Sequence, residues 1–167
     1  MNSKINYYVE KLEMQPHPEG GFYKETYRSV GSIPKKCLTD FEEERSCSTG
    51  IYFLLTKENF SAFHRIKSDE MWHFYDGDGL VIHEITLGGN YRKHKLGLSL
   101  NEGEKPQLVI AANSWFASEV KEEGSWCLVG CTVSPGFDFQ DFELANRAFL
   151  TQEYPSQKAL ITRLTRQ

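Results

Sequence analysis

The chain has 167 residues, of which 40% are hydrophobic and 25% charged, a size and composition ordinary for one globular domain spanning residues 1–167. Its net charge of −4, with scattered basic residues, argues against nucleic acid as a partner, because a phosphate backbone is bound by clustered Lys and Arg. No apolar run approaches the ~20 residues of a membrane helix, and the first residues lack the apolar stretch of a signal peptide, so we expect no membrane association and a cytoplasmic protein whose four cysteines are free thiols.

The predicted elements begin with a helix over residues 3–14, in which apolar side chains share one face at helical spacing. Two prolines and two glycines within residues 16–21 end this helix in a shaped turn. From residue 22 the period of hydrophobicity changes to two, and residues 22–28 are predicted to form an aromatic-rich strand.

A long loop is predicted over residues 30–47, and short strands follow it, separated by turns rich in Gly, Asn and Asp. Regularly spaced short strands indicate a sandwich or barrel, here over about residues 21–142. Helices are predicted across residues 144–165, with a break at Pro155. The predicted strands after the loop are 48–56, 60–66, 70–76, 80–87, 91–96, 106–112, 115–120 and 125–133.

Two adjacent central strands carry the side chains that most strongly suggest a site. Alternation places Glu70, Trp72 and Phe74 on one face and directs His73 to the other face unless a bulge intervenes. A carboxylate among aromatic side chains needs a partner, and a histidine beside it forms an acid–base pair or part of a metal site. We therefore predict that His64 and Glu70 face the barrel interior as catalytic residues, within reach of each other or of a shared water.

The pocket around this pair is predicted to be walled mainly by aromatic side chains, since ligand pockets combine apolar walls with a few polar groups. The predicted wall consists of Phe22, Glu25, Tyr52, Trp72, Phe74 and Trp115.

This stretch resembles the first cupin motif, which is His-x-His, three or four residues, Glu, six residues and Gly. His64, Glu70 and Gly77 match that pattern, whereas Ile66 occupies the position of the second histidine. In the region of the second motif, Trp115 or the residue after it takes the place of the motif histidine. The resemblance implies a mainly β fold, a cupin-type jelly-roll β-barrel (double-stranded β-helix) with flanking N- and C-terminal helices, and it leaves a metal without its usual ligands.

Over roughly residues 7–145 the chain is similar to the cupin_5 group (DUF985), a family of uncharacterised cupins. Such long ordered matches indicate the family and the fold but not an activity. Residues 21–27 are also similar to the Gly-Phe-Phe-x-Glu strand of deoxysugar-nucleotide 3,5-epimerases, which are metal-free cupins. The segments matching cupin_5 are 17–29, 48–55, 63–75 and 126–142.

Three functions remain open at this point. In a metal-free sugar or sugar-nucleotide epimerase or isomerase, His64 would abstract a proton and Glu70 would orient it. A metal-dependent cupin such as a dioxygenase would need a third ligand, supplied by His73 or His83. The third possibility is a non-catalytic binding or sensory cupin. We favour a pocket for a small, carbohydrate-like molecule with no obligatory metal or other cofactor, in a homodimer that pairs through residues 21–29.

Overall fold

The computed structural model describes residues 3–166. Two antiparallel sheets face each other, with one helix before the main strands and two after them, and this confirms the predicted mainly β fold with helices at both ends. The alternation of apolar and polar residues produces this arrangement, because each strand turns one face toward the partner sheet.

The larger sheet has six strands, numbered here in chain order. Strands β5 (Thr49–Thr56) and β7 (Asp69–Gly77) flank β12 (Trp126–Ser134) at its centre, and their buried residues supply much of the core. In spatial order the sheet consists of β1 (Gln15–Pro16), β2 (Phe22–Arg28), β5 (Thr49–Thr56), β12 (Trp126–Ser134), β7 (Asp69–Gly77) and β10 (Gln107–Ile110).

The second sheet has five strands, and a small two-stranded sheet lies within the predicted loop. That small sheet pairs β3 (Ser32–Ile33) with β4 (Arg45–Ser46), so the segment 30–47 is more ordered than its Gly, Pro and mixed charges indicated. In spatial order the five-stranded sheet consists of β13 (Glu143–Leu144), β6 (Phe60–Arg65), β11 (Trp115–Val120), β8 (Leu80–Ile85) and β9 (Tyr91–Leu96).

The helices cover the outer faces of the two sheets. Helix α1 (Ser3–Lys11) packs on the six-stranded sheet, while α2 (Arg147–Glu153) and α3 (Lys158–Arg163) pack on the five-stranded sheet. Helix α1 ends earlier than the predicted residue 14 because Glu13 adopts a left-handed φ of 52°, which helix interiors do not accommodate. None of the described helices has the length and apolar character needed to cross a membrane.

Large apolar side chains fill most of the space between the sheets. Phe53, Trp72 and Phe116 are almost fully buried there and meet edge to face, with ring centroids 6.0 and 6.3 Å apart. Strand β2, which carries most of the segment 21–29 predicted for dimerisation, pairs with β5 and over two residues with β1. The space that the apolar core does not fill forms a cavity.

Candidate functional site

The cavity lies between the two sheets and has a volume of about 280 Å³. A water molecule takes up roughly 30 Å³, and pockets for small ligands begin at about 300 Å³, so the cavity has the scale of a small organic ligand. Three of the predicted site residues line it, namely Glu25, His64 and Glu70. The other polar or ionisable side chains of its lining are Gln15, His17, Glu19, Tyr23, Arg28, Thr49, Cys131 and Asp138.

A tight turn between β1 and β2 places the side chain of Glu19 inside the barrel. The backbone carbonyl of Glu19 accepts hydrogen bonds from the amide of Ala62 on β6 (3.0 Å) and from Arg166, which follows α3 (3.1 Å), and these bonds fix the turn. Gly20 has a φ of 119°, and a Cβ there would lie 2.1 Å from a backbone oxygen. Glycine is therefore required at position 20, and the turn leaves Glu19 only 6% exposed.

His64 is held at both ring nitrogens. Its Nδ1 lies 2.7 Å from the carbonyl oxygen of Ala62, and its Nε2 lies 3.0 Å from a carboxyl oxygen of Glu19. A carbonyl oxygen can only accept, so Nδ1 carries a proton. In the neutral ring Nε2 is then an acceptor, and the proton between Nε2 and Glu19 belongs to Glu19.

The pKa shifts of Glu19 and His64 indicate that both groups are neutral. Burial, together with the nearby carboxyl of Glu70, raises the pKa of Glu19 well above its ordinary value, and burial lowers the pKa of His64 to about 3. Two charges at this depth would be costly to desolvate. The 3.0 Å contact is therefore one between a neutral carboxylic acid and a neutral imidazole, and not an ion pair.

Glu70 faces the same cavity with little to balance its charge. It is 7% exposed, and burial raises its pKa to about 7, while the thiol of Cys131 donates a hydrogen bond that opposes this shift. No basic side chain among residues 3–166 lies within the 4.0 Å ion-pairing distance of Glu70. Although the sequence suggested Glu70 as the partner of His64, the structure places Glu19 in that position.

His17 lies beside Glu19 in an aromatic setting. Its Nδ1 accepts a long hydrogen bond from the Glu19 amide (3.3 Å), so Nε2 carries the proton of the neutral ring. The ring lies edge to face with Tyr23 at 4.6 Å and stacks on Phe139 at 6.4 Å. Burial lowers the pKa of His17 to about 4, so it is neutral at physiological pH.

Two side chains at the half-exposed edge of the cavity form an ion pair. Arg28 donates to both carboxylate oxygens of Glu25 (3.0 and 2.7 Å) and to the carbonyl oxygen of Phe137 (3.1 Å). The 3₁₀ turn that follows carries Phe139, which is 52% exposed. This edge therefore combines a neutralised guanidinium with aromatic rings.

Five residues of the predicted pocket wall do not line the cavity. Phe22 and Tyr52 pack beneath α1 on the outer face of the six-stranded sheet, and Trp115 packs beneath α2 and α3 on the outer face of the other sheet. Trp72 and Phe74 face the interior as alternation predicted, but they belong to the packed core.

The ligands that a metal would need, His64, Glu70 and His73, do not converge on one point. His73 lies on the outer face of its sheet, as its alternation predicted, and contacts Thr132 (3.0 Å) and Gln107 (3.1 Å). Ile66 takes a place in the cavity lining close to His64. Within the described part of the chain, no group of three or more His, Cys, Asp or Glu is arranged to hold a metal ion, so the donor set does not fit the three or more ligands that a first-row metal needs.

His83, the other candidate third ligand, also lies away from the cavity. Its ring bridges Tyr91 (2.8 Å) and Glu119 (3.0 Å) in the five-stranded sheet. Glu119 in turn pairs with Arg163 of α3, and these contacts lower its pKa to about 2. The cluster ties the last helix to the sheet.

A family model identifies the family of this chain. The model of Cupin_5, described as "Cupin superfamily (DUF985)", matches residues 6–145. An uncharacterized protein of Saccharomyces cerevisiae is 28% identical over 154 residues, which cover 83% of this chain and 74% of the yeast protein.

Solved structures extend the comparison. A hypothetical protein from Leishmania major has a TM-score of 0.88 at 33% identity, covering 97% of this chain and 98% of its own. A protein of Shewanella oneidensis has a TM-score of 0.85 at 40% identity, covering 96% of each chain. An oxalate decarboxylase structure, at 14% identity and a TM-score of 0.54 over 89% of this chain and 36% of its own, shares the fold alone.

Proposed function

We propose, from the premise that this chain belongs to the Cupin_5 (DUF985) family of the cupin superfamily, that its cavity is the active site of a metal-free isomerase or epimerase. The substrate is a small carbohydrate-like carbonyl compound. The observation that carries this proposal is the 3.0 Å contact between Glu19 and His64, in the same cavity that Glu70 faces.

Such a reaction needs a base and an acid in one cavity. Glu70 has a pKa of about 7, near the value at which a carboxylate both exists at neutral pH and accepts a proton readily. The carboxylate of Glu70 takes the proton from the carbon next to the substrate carbonyl, and the electron pair of that C–H bond forms an enolate.

The Glu19–His64 pair supplies the acid. Glu19 donates its proton to the enolate oxygen, which gives a neutral enediol and a Glu19 carboxylate beside His64. Protonated Glu70 then returns its proton to a carbon of the enediol, and the Glu19 carboxylate takes up a hydroxyl proton as the product carbonyl forms. Both groups are thereby restored, and no external oxidant, reductant or base is needed. Because Nδ1 of His64 is held by the Ala62 carbonyl, the ring stays in the tautomer that this exchange requires.

The energetics of the site support this assignment. A buried carboxyl without a cationic partner destabilises a fold when it ionises, and such groups concentrate where function requires them. Glu19 and Glu70 are both buried in one cavity, and the charge of Glu70 raises the cost of ionising Glu19. Packing alone would be served better by apolar side chains.

Deuterium incorporation tests the proposal. The purified chain is incubated in D₂O with a panel of aldoses, ketoses, amino sugars and sugar phosphates, and NMR follows the proton next to the carbonyl. We expect incorporation that Glu70→Gln abolishes and that Glu123→Gln, a change at an exposed carboxylate, leaves intact. A ligand that binds without exchange would instead assign the chain as a binding cupin, and exchange that survives Glu70→Gln would contradict the mechanism.

A further inference from the structure

The lining of the cavity carries more negative than positive groups. Arg28 supplies the one guanidinium of the described lining, and the lining includes no lysine. Both lining histidines are neutral at physiological pH, because burial lowers their pKa values to about 4 and about 3. The carboxyl groups of the lining belong to Glu19, Glu25, Glu70 and Asp138.

With both histidines neutral, this excess of negative charge does not depend on whether Glu19 and Glu70 are ionised. When Glu19 and Glu70 both carry a proton, the carboxylates of Glu25 and Asp138 still outnumber the guanidinium of Arg28. That guanidinium is already bound by both oxygens of Glu25 and by a backbone carbonyl. It therefore has little capacity to bind an anionic ligand.

Other cations near the cavity are committed elsewhere. Arg45 forms a buried, two-pronged pair with Asp141 at 2.6 and 2.9 Å, and Lys67 lies 3.8 Å from the same carboxylate. Arg166 donates to the backbone carbonyl of Glu19 at 3.1 Å and to two further oxygen atoms. None of these three cations belongs to the cavity lining. The cavity therefore presents a net negative field to whatever enters it.

Aromatic rings line the same cavity. Phe137 lies edge to face with Phe139 at 5.0 Å and with Phe142 at 6.3 Å, and the ring of His17 lies 4.6 Å from that of Tyr23. The faces of such rings attract substituted ammonium groups, most strongly where water is excluded. Carboxylates and aromatic rings together favour an organic cation.

We propose that the substrate of this cavity is an organic cation, with a substituted ammonium group against the aromatic rings and its carbonyl part toward Glu70 and the Glu19–His64 pair. A cation also supplies the buried carboxylate of Glu70 with a counter-charge that the described residues do not provide. That this cation is turned over rests on the proposed function, whereas the preference of the cavity for a cation rests on the residues of its lining alone.

Three probes of similar size and shape isolate the effect of ligand charge. Choline, its neutral carbon analogue 3,3-dimethylbutan-1-ol, and the anion 3,3-dimethylbutanoate are titrated at neutral pH into the full chain with labelled histidines. NMR follows the ring signals of His17 and His64. We expect choline to bind about tenfold or more tightly than the neutral alcohol, and the anion to bind most weakly.

A pair of phenylalanine variants locates the binding. Phe139→Leu removes a half-exposed ring of the cavity and should weaken choline binding about threefold or more. Phe149→Leu removes a ring that is 60% exposed on α2, outside the cavity, and should leave binding unchanged. Equal losses in the two variants would place choline elsewhere and overturn the proposal.

The order of affinities shows whether the cavity prefers a cationic ligand, and it does so whether or not the chain is an enzyme. A neutral or anionic probe that binds as tightly as choline, or the absence of any shift with choline at tens of millimolar, would overturn the cation preference. If choline showed no preference but deuterium exchange were found, the proposed isomerase function would survive and only the cationic nature of the substrate would be refuted. If choline bound as expected and no compound exchanged its proton, the cation preference would survive and the proposed isomerase function would be refuted.

Discussion

Replacing Glu70 by glutamine should make the protein more stable at alkaline pH, although it removes the proposed base. The carboxyl group is 7% exposed, and burial raises its pKa from an ordinary 4.5 to about 7. A raised pKa means that the folded chain binds the proton more tightly than the unfolded chain. The contribution of the protonated Glu70 carboxyl to the free energy of unfolding is therefore fully present below pH 4.5. It is lost as the pH rises through the folded-state pKa of about 7.

The size of the effect follows from the shift. A change of about 2.5 pKa units at roughly 1.36 kcal/mol per unit corresponds to about 3 kcal/mol. Glutamine has nearly the same shape, carries no charge, and can still accept the hydrogen bond from Cys131. We expect Glu70→Gln to match the wild-type free energy of unfolding near pH 4 and to exceed it by about 3 kcal/mol near pH 8.

Urea unfolding of the wild type, Glu70→Gln and the surface control Glu123→Gln, measured from pH 4 to pH 8, tests this expectation. The acid titration of His17 and His64 is common to all three proteins and cancels in the differences. A Glu70→Gln variant that is less stable than the wild type at pH 8, or that differs from it equally at every pH, would refute the argument that Glu70 ionises without a counter-charge.

Three other changes probe the parts that hold the site. Arg45→Met leaves the buried Asp141 without its two-pronged partner and should cost about 3 kcal/mol, most of which Arg45→Met/Asp141→Leu recovers, as chemical denaturation will show. Gly20→Ala places a methyl group 2.1 Å from a backbone oxygen and should cost about 2 kcal/mol or more, measured in the same way. Glu19→Gln keeps a donor toward Nε2 of His64 and should change stability by less than about 1 kcal/mol, whereas Glu19→Ala should cost about 1–3 kcal/mol.

Each of these expectations has a contrary outcome. If the Arg45→Met/Asp141→Leu variant is no more stable than Arg45→Met, the ion pair is not the source of the loss. A Gly20→Ala variant as stable as the wild type would show that the turn has room to move. If Glu19→Gln and Glu19→Ala are equally destabilised, the contact with His64 is an ion pair and not a neutral hydrogen bond.

The strands were predictable because local alternation determines them. The predicted bounds 91–96 and 115–120 coincide with β9 and β11, and the inward direction of Glu70 and outward direction of His73 follow from the same period. The pocket wall was less predictable, because a strand has two buried faces here. Trp115 is buried by the terminal helices, and the sequence does not show which of two buried faces an aromatic residue occupies.

Glu19 was missed because it lies in a turn. The sequence showed two prolines and two glycines around it, which indicate backbone geometry and not the direction of a side chain. The available signal was the cupin_5 resemblance, which begins at residues 17–29 and includes Glu19. Its contact with His64 joins residues 45 positions apart, and only the folded barrel brings them together.

His64 is a neutral ring whose tautomer is fixed by the Ala62 carbonyl and whose Nε2 faces the protonated carboxyl of Glu19 inside the cavity. Nitrogen-15 NMR of the histidine-labelled chain tests this protonation state directly. We expect a protonated Nδ1 and an unprotonated Nε2 on His64 throughout pH 5 to 8. A His64 ring protonated at Nε2, or one that titrates near its ordinary pKa of 6.5, would show that the pair is not neutral.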